Sequence, residues 1–215
     1  RRIEEASLNS WPAMHQVLLD GWVLRFSGGF TKRSNSIIPL YPSLQSNIED
    51  KVAYCEHLYT REKLRTLFRI TSLEDDANLD DLLEKRSYEH VDPTLVMHRP
   101  ISKLIETPND FRILSLQDWL RAYCTLSGIP HATSRVQAVL LKSIRTDAIF
   151  GVTMNGDMVV ACGLAVIEKD LVGLFDIVTD PAQRRRGYGS TIVESLLSHG
   201  AKQGANVGYL QVAQD

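Results

Sequence analysis

The chain has 215 residues, which is more than one typical domain and less than two. It carries 24 Lys and Arg against 26 Asp and Glu. This near balance argues against a protein that coats nucleic acid, because such binding depends on many basic side chains facing phosphates. Hydrophobic residues at 44% and charged residues at 23% are typical of a folded globular chain. The composition therefore excludes a disordered chain and leaves one large or two small domains open.

Cysteine and apolar patterns predict a cytoplasmic protein without a metal site. Cys55, Cys124 and Cys162 cannot all pair and are too far apart in sequence for a metal knuckle, which indicates a reducing compartment. The six histidines also lack metal-ligand spacing. The longest apolar run, residues 158–167, is too short to span a bilayer, so no membrane partner is expected. Because Arg1 is not an initiator Met, we expect a trimmed version of a longer protein.

The first hundred residues alternate between strand-like and helix-like patterns. Apolar and polar residues alternate in residues 22–26, and a β-rich segment at 30–40 follows the Gly28-Gly29 turn, which predicts two strands. The further predicted elements are a helix at 48–67, a strand at 67–70, a helix at 79–85 and a strand at 94–98. Residues 99–110 contain two prolines and little periodicity. We therefore predict two domains, 1–100 and 101–215.

The second half has a different order of elements. It opens with two predicted helices, at 115–127 and 135–144, and Gly128 follows the first as a stop signal. The predicted elements that follow are strands at 148–153, 158–167 and 171–178, a helix after the loop at 183–190 and a strand at 206–213. The Asn155-Gly156 pair predicts a hairpin, so three consecutive antiparallel strands are expected.

Ten of the thirteen glycines lie in this second half, and two of them mark its most informative loop. Gly187 and Gly189 stand between a strand and a helix, where backbone N–H groups and the positive end of the helix converge on an anion. The adjacent residues 184–186 are three arginines, which suit a pyrophosphate or a 3′-phosphate. A dinucleotide fingerprint would need glycine where Ile192 stands, and the Gly-Lys-Ser/Thr of a P-loop is absent. The loop therefore predicts phosphate binding of another type.

The segment from Asp180-Pro181 through Arg184-Arg185-Arg186-Gly187-Tyr188-Gly189 resembles the Arg/Gln-x-x-Gly-x-Gly/Ala motif of the GNAT superfamily of N-acetyltransferases. The resemblance implies an α/β (α+β) fold, with a mixed, mostly antiparallel sheet flanked by helices, as in acyl-CoA N-acyltransferases. It also implies that acetyl-CoA is the cosubstrate and that a primary amine attacks the acetyl group directly. The cofactor-binding residues implied are Ile177, Val178, Thr179, Arg184, Arg185, Arg186, Gly187, Tyr188, Gly189 and Ser190.

This chemistry needs a base for the amine and donors for the developing oxyanion. Asp176 is the candidate catalytic base or ammonium anchor, because it stands in an apolar strand just before the loop. The alternatives are that its side chain points outward or pairs with an arginine. Glu168, in a turn, is a weaker candidate base, and a main-chain N–H near Val178 or Thr179 is the expected oxyanion donor.

The element order of the first half is similar to a GNAT core but lacks the glycine loop between residues 40 and 48. We interpret it as a degenerate GNAT-like domain in a tandem arrangement. Five polar residues beside its Gly-Gly turn could border an acceptor cleft or serve only the turn: Arg25, Thr31, Lys32, Arg33 and Asn35. The family usually continues beyond the strand at 206–213 with a helix carrying a Tyr acid, so a C-terminal segment is expected to be missing.

Three function classes remain open at this stage. The leading hypothesis is an N-acetyltransferase acting on a small-molecule or peptide amine. A non-catalytic CoA-binding, sensing or interaction module is the alternative, suggested by the degenerate first half. A nucleic-acid module ranks last because one arginine triplet at 184–186 cannot form a binding stripe, so no nucleic-acid partner is expected. The oligomeric state is open between monomer and homodimer.

Overall fold

The computed structural model describes residues 1–44, 47–72, 78–101 and 108–214. These residues form two compact units. The first unit contains residues 1–5 and 11–91, and the second contains residues 6–10 and the chain from 92 onward. Within the described ranges, no helix combines the length and apolar character needed to cross a membrane.

The first unit contains a three-stranded antiparallel sheet and two helices. Its elements are β1 (His15–Leu19), β2 (Trp22–Phe26), β3 (Ile37–Pro39), α2 (Ile48–Arg61) and α3 (Leu79–Lys85), and helix α1 (Arg2–Ser10) is divided between the units. Asn47 caps α2 by accepting a hydrogen bond from the Asp50 N–H. One face of α2, including Val52 and Tyr59, packs into the core with Trp22.

Three sequence expectations for this unit are corrected. Only Ile37–Pro39 of the strand expected at 30–40 is a strand, because the side chain of Asn35 organises the preceding residues as a loop. Its Oδ1 accepts hydrogen bonds from the N–H groups of Ser27 (2.7 Å) and Gly29 (3.0 Å). The strand expected at 67–70 is a single bridge from Phe68 to Ile37. Helix α2 ends at Arg61 rather than at residue 67, and α1 and β1 were not predicted.

The second unit is built on a six-stranded mixed sheet with the order β4-β9-β8-β7-β6-β5. The strands are β4 (Thr94–Pro100), β5 (Phe111–Ile113), β6 (Asp147–Asn155), β7 (Met158–Glu168), β8 (Leu171–Thr179) and β9 (Val207–Ala213). Its helices after residue 92 are α4 (Leu116–Ser127), α5 (Ser134–Lys142) and α6 (Tyr188–Lys202). All neighbouring strands are antiparallel except β8 and β9, which are parallel. The predicted mixed, mostly antiparallel sheet flanked by helices is confirmed.

Strand β4 joins a different sheet from the one the sequence suggested. It pairs with β9 along its whole length, from Thr94 with Ala213 to Pro100 with Val207. The compact units divide between residues 91 and 92, nine positions before the predicted boundary. Local pattern identifies a strand, but its neighbour in the sheet is a segment more than 100 residues later. Residues 102–107 of the predicted linker lie outside the described residues.

Paired glycines let helix α6 approach the centre of this sheet. Gly151 of β6 is directly opposite Gly163 of β7. A Cβ on either glycine would lie within 3.0 Å of a Leu196 side-chain carbon from α6. Trp119 of α4 donates from Nε1 to the carbonyls of the same two glycines, at 3.2 and 3.1 Å. The two glycines therefore fix the positions of α6 and α4 against β6 and β7.

Candidate functional site

The predicted loop lies between the end of β8 and the first residue of α6. Asp180 begins it by accepting a hydrogen bond from the Ala182 N–H at 2.9 Å, and a short 3-10 turn follows at Pro181–Gln183. The backbone then passes through two left-handed conformations, at Arg185 (φ 62°) and Gly187 (φ 89°). This sharp reversal places the N-terminus of α6 next to the end of β8.

The start of α6 has the geometry of an anion cradle. Its first intrahelical bond runs from the Thr191 N–H to the Gly187 carbonyl at 2.9 Å, so the N–H groups of residues 188–190 precede the intrahelical ladder. No side chain caps this end, and the first turn contains no acidic residue. A Cβ at Gly187 would meet no atom within 4 Å, so the space above this residue is open. Glycine is favoured at this position by the positive φ and not by crowding. An anion can occupy this space, where the positive end of the helix dipole and the N–H groups of the first turn attract it.

Gly189 is required for a different reason from Gly187. A Cβ at Gly189 would lie 3.3 Å from Oγ1 of Thr179, so this glycine lets the helix begin close to the end of β8. Tyr188 packs partly into the core beside it and anchors the first turn. Arg184, Arg185 and Arg186 are exposed along the outside of the loop. Long cationic side chains at this position add to the positive potential of the helix N-terminus.

Strands β8 and β9 separate toward the end of β8 that precedes this loop, which leaves a gap between them. The two parallel strands are paired from Leu171 with Val207 to Leu174 with Leu210, and the pairing ends there. Beyond that point β8 pairs with β7 as far as Thr179, while β9 pairs with β4 as far as Ala213. The half-buried residues Ile177, Val178 and Thr179 therefore border the gap with backbone groups that do not pair with β9.

Asp176 lies at a bulge in β8. Cys162 of β7 pairs with Val178, and Leu164 pairs with Phe175, so Gly163 faces two residues of β8. Asp176 adopts φ 49° at this bulge, a conformation that Asp and Asn tolerate better than most residues. Its Oδ2 accepts a hydrogen bond of 2.7 Å from Nε2 of Gln137 on α5. The bulge therefore turns the Asp176 carboxylate toward the helices α4 and α5.

Two further titratable groups interact with the Asp176 carboxylate. Burial, and then the charge of Asp176, raises the pKa of Tyr123 on α4 to about 12. The same two causes raise the pKa of Cys162 to about 12. The ring of Tyr123 stacks on Trp119 with centroids 5.2 Å apart. Both groups are therefore protonated at neutral pH.

Glu168, the weaker candidate base, lies at the opposite end of the sheet from the loop. It pairs with Leu171 at the start of β8, eight residues before Thr179. At the rise of a β-strand this separation is about 26 Å. Its carboxylate accepts hydrogen bonds from Nδ2 of Asn9 at 3.0 and 3.2 Å. The geometry therefore favours Asp176 over Glu168 as a group that can act near the loop.

The polar residues singled out in the first unit hold their own loop together. Arg25 is fully buried and donates to the carbonyls of Trp11 and Arg33. Burial, followed by the nearby charge of Arg33, lowers its pKa to about 10. Asn35 also donates to the Thr31 carbonyl at 2.7 Å. These contacts give Arg25 and Asn35 a structural role, and acceptor binding by this loop stays a prediction.

Sequence reasoning missed Gln137 and Tyr123, although the position of each on its helix indicates a contact inside the fold. Gln137 lies on the buried stripe of α5 together with Leu140 and Leu141, at spacings of three and four residues. A polar residue on an apolar stripe indicates a hydrogen-bond partner inside the fold. Tyr123 occupies the same kind of position on α4, beside Trp119. In contrast, the predicted residues 176–190 are contiguous in sequence, and the fold brings them to one end of β8.

Comparisons with known proteins identify the family and the fold of the chain. The whole chain, residues 1–215, matches the family described as "Probable histone acetyltransferase Rv0428c C-terminal". The uncharacterized N-acetyltransferase YobR of Bacillus subtilis (strain 168) is 25% identical over 222 residues, covering 100% of this chain and 88% of YobR.

Two solved structures share the fold over nearly the whole chain. A GCN5-related N-acetyltransferase from Kribbella flavida has a TM-score of 0.71 at 13% identity, covering 98% of this chain and 84% of its own. One from Sphaerobacter thermophilus has a TM-score of 0.65 at 13% identity, with coverages of 98% and 76%. The full-length family match, together with a sheet and loop of this type, shows that the chain belongs to the Rv0428c C-terminal family of GNAT-type N-acetyltransferases.

Proposed function

We propose that this acetyltransferase moves the acetyl group of acetyl-CoA to a primary amine by direct attack. The observation that carries the proposal is the uncapped start of α6 at Gly187, next to the gap between β8 and β9. One surface thus combines an anion cradle with a stretch of β8 that does not pair with β9. A long cosubstrate with a phosphate-rich end needs the cradle for its phosphates and the strand edge for its extended arm.

In this proposal the loop holds the pyrophosphate of acetyl-CoA. The N–H groups of residues 187–190 donate to its oxygens, and the exposed arginines 184–186 supply cationic partners. The backbone of Ile177, Val178 and Thr179 hydrogen-bonds the pantetheine arm as an added strand would. When bound, acetyl-CoA supplies the activated acyl group as a thioester. A main-chain N–H near Val178 or Thr179 stabilises negative charge on the carbonyl oxygen.

Asp176 prepares the acceptor for attack. Its carboxylate attracts the ammonium group and accepts a proton from it, which leaves a neutral amine with a free lone pair. The amine nitrogen then bonds to the carbonyl carbon while the carbon–sulfur bond breaks. The nitrogen loses its second proton, and the departing thiolate takes up a proton, through water, to leave as the free CoA thiol. Gln137 holds one carboxylate oxygen, so that Asp176 keeps a fixed orientation through this step.

The acceptor is proposed as a small-molecule or peptide amine. The family description names histones, so a lysine-containing basic peptide belongs in the acceptor panel beside small amines. Release of free CoA thiol reports acetyl transfer to any of them.

The test of cofactor binding uses two glycines with matched backbones. Gly187 (φ 89°) and Gly204 (φ 100°) are both left-handed, and a Cβ at either would meet no atom within 4 Å. Alanine at either position is strained by about 1 kcal/mol. Calorimetric titration should show at least tenfold weaker acetyl-CoA binding by Gly187→Ala and near-normal binding by Gly204→Ala.

Two results would contradict the proposal. Equal effects of the two alanine variants would mean that the loop has no special role in binding. Tight acetyl-CoA binding without thiol release on any acceptor of the panel would favour the alternative, a CoA-sensing module.

A further inference from the structure

Strand β4 forms one edge of the six-stranded sheet. β9 pairs with one side of it, and within the described ranges no strand pairs with its other side. All seven residues of β4 are exposed. Leu95, Val96 and Met97 have 49%, 39% and 56% of their surface exposed. The outer side of β4 therefore presents both backbone groups and apolar side chains to solvent.

The hydrogen bonds at the two ends of β4 show which backbone groups face outward. The Gln214 N–H donates to the Pro93 carbonyl, and the Ile101 N–H donates to the Asn206 carbonyl, both at 2.8 Å. The register between these ends is continuous, and hydrogen-bonded positions alternate along an antiparallel strand. The odd-numbered residues of β4 therefore bond to β9. The residues whose N–H and C=O groups point outward are Thr94, Val96 and His98.

The described residues of β4 lack the usual protections of an edge strand, which are a bulge, a central proline or a lysine. The register of β4 against β9 has no shift. Its sequence contains no lysine, and its one proline is the last residue, Pro100. Arg99 bonds to Glu194 of α6 in its own chain. Nothing in the strand itself therefore prevents a further strand from pairing with its outer side.

The sequence of β4 is complementary to a second copy of itself. In an antiparallel pair centred on Val96, this residue faces Val96 of the second copy, and Leu95 faces Met97. Thr94 is then opposite His98, so the outward backbone groups meet in hydrogen-bonded pairs that each exchange two bonds. Apolar residues thus face apolar residues across the pair, which stabilises it.

The charges near β4 favour the same antiparallel register. His98 and Arg99 stand toward the end of the strand, and Asp92 precedes its start. Antiparallel pairing keeps the basic ends of the two copies apart and brings Asp92 of one copy to the same end as the basic residues of the other. A shift of two residues in one direction would place Leu95 opposite Arg99, and a shift in the other direction would draw residues outside the strand into the pair.

We infer that β4 is the contact surface between two copies of this chain, which pair antiparallel about a two-fold axis at Val96 and join their two sheets into one. A two-fold interface requires the same surface of each copy to be complementary to itself. β4 meets this requirement in its backbone groups, its apolar side chains and the charges at its ends. The inference goes beyond the proposed function and does not depend on acetyl transfer.

Charge substitution at the two-fold axis tests the pairing. A side chain at position 96 faces its own copy across about 5 Å, so Val96→Lys and Val96→Glu should each be monomeric in sedimentation equilibrium. The parent chain should be a dimer that dissociates on dilution. An equimolar mixture of the two variants should recover the dimer, because Lys then faces Glu. Val139→Lys is the matched control and should stay dimeric, because Val139 is an exposed valine on α5, outside β4.

Amide hydrogen exchange of the full chain locates the interface. Exchange at the outward N–H groups of Thr94, Val96 and His98 requires dissociation of the dimer, so their protection should rise by at least about tenfold between dilute and concentrated samples. Val96→Lys should abolish this rise. The N–H groups of the odd-numbered residues bond to β9 and should be protected at every concentration.

Three outcomes would overturn the inference, and none of them bears on acetyl transfer. A parent chain that stays monomeric at the highest concentration forms no such pair. A dimer that survives Val96→Lys, without protection of the outward N–H groups, uses another surface. Protection of these groups in a monomer at every dilution would show that another segment of the same chain covers this side of β4.

Discussion

Nε2 of Gln137 donates a hydrogen bond of 2.7 Å to Oδ2 of Asp176. This bond joins a buried position of α5 to the bulge of β8, where the backbone of Asp176 is left-handed. A donor aimed at a carboxylate favours its ionised form and fixes its orientation. The pair therefore fixes the Asp176 carboxyl group at the point where β8 begins to separate from β9.

Replacing Asp176 with Asn should remove activity but preserve the fold. Asn has the same shape and also tolerates φ near 49°, so the bulge is retained. Loss of a general base lowers kcat by a factor of about 10² to 10⁴, and acetyl-CoA affinity should change little. Asp157→Asn, in the exposed hairpin turn, is the control. Unchanged kcat in Asp176→Asn would exclude a catalytic role for this carboxylate.

Replacing Gln137 with Met should change the pH dependence of the reaction. Met fills a similar volume but removes the donor, so the ionised carboxylate loses a stabilising bond worth about 1.5–3 kcal/mol. The acidic limb of the kcat/KM profile should therefore move to higher pH, and activity at neutral pH should fall. Gln137→Glu provides a second arm, because a second carboxylate next to Asp176 should move the limb further in the same direction. A profile that keeps its limbs while activity falls would indicate a purely structural role.

Replacing Trp119 with Phe should destabilise the second unit. The indole N–H is shared by the Gly151 and Gly163 carbonyls, and the side chain is fully buried. Loss of a buried donor costs about 1–3 kcal/mol, and the smaller ring leaves an additional space. Urea unfolding followed by circular dichroism measures the change. An unaltered midpoint would show that the two shared hydrogen bonds make no net contribution.

Alkaline conditions should destabilise the chain partly through Cys162. Burial raises the pKa of this thiol from 9.0 to about 12 in the folded state. Between these values the unfolded chain binds fewer protons than the folded chain, so the free energy of unfolding falls as pH rises from 9. Urea unfolding at pH 8 to 11 should show a shallower decline in Cys162→Ala than in the parent. Identical slopes would mean that the thiol ionises equally in both states.

Local sequence signals predicted most elements of the second unit, although they missed the short strand β5 (Phe111–Ile113). The Asn155-Gly156 turn, the Gly128 helix stop and the glycine loop each depend on a backbone conformation that one residue type favours. Gly128 and Gly156 indeed have φ of 67° and 60°. These features are encoded within a few residues, so no knowledge of the tertiary structure was needed to find them.

Features that depend on contacts between distant segments could not be predicted from local sequence. The bulge at Asp176 results from its register against β7, and the partner of Asp176 comes from α5, 39 residues earlier. Residues 30–36 of the strand predicted at 30–40 form a loop instead, because the Asn35 side chain accepts hydrogen bonds from the N–H groups of Ser27 and Gly29 and so organises this segment locally. Candidate chemistry could therefore be located in sequence, whereas its orientation required the fold.

The position of β4 has a practical consequence for dividing this protein. A fragment that begins at Ile101 would lose the strand that covers β9 and would expose the backbone edge of residues 207–213. Such a bare edge is a template for association with other chains. Fragments should instead be separated near residues 91 and 92, so that the strand from 94 to 100 travels with the sheet it completes. Limited proteolysis or split-protein complementation at that point would leave β4 paired with β9, whereas a cut at residue 100 would separate the two strands.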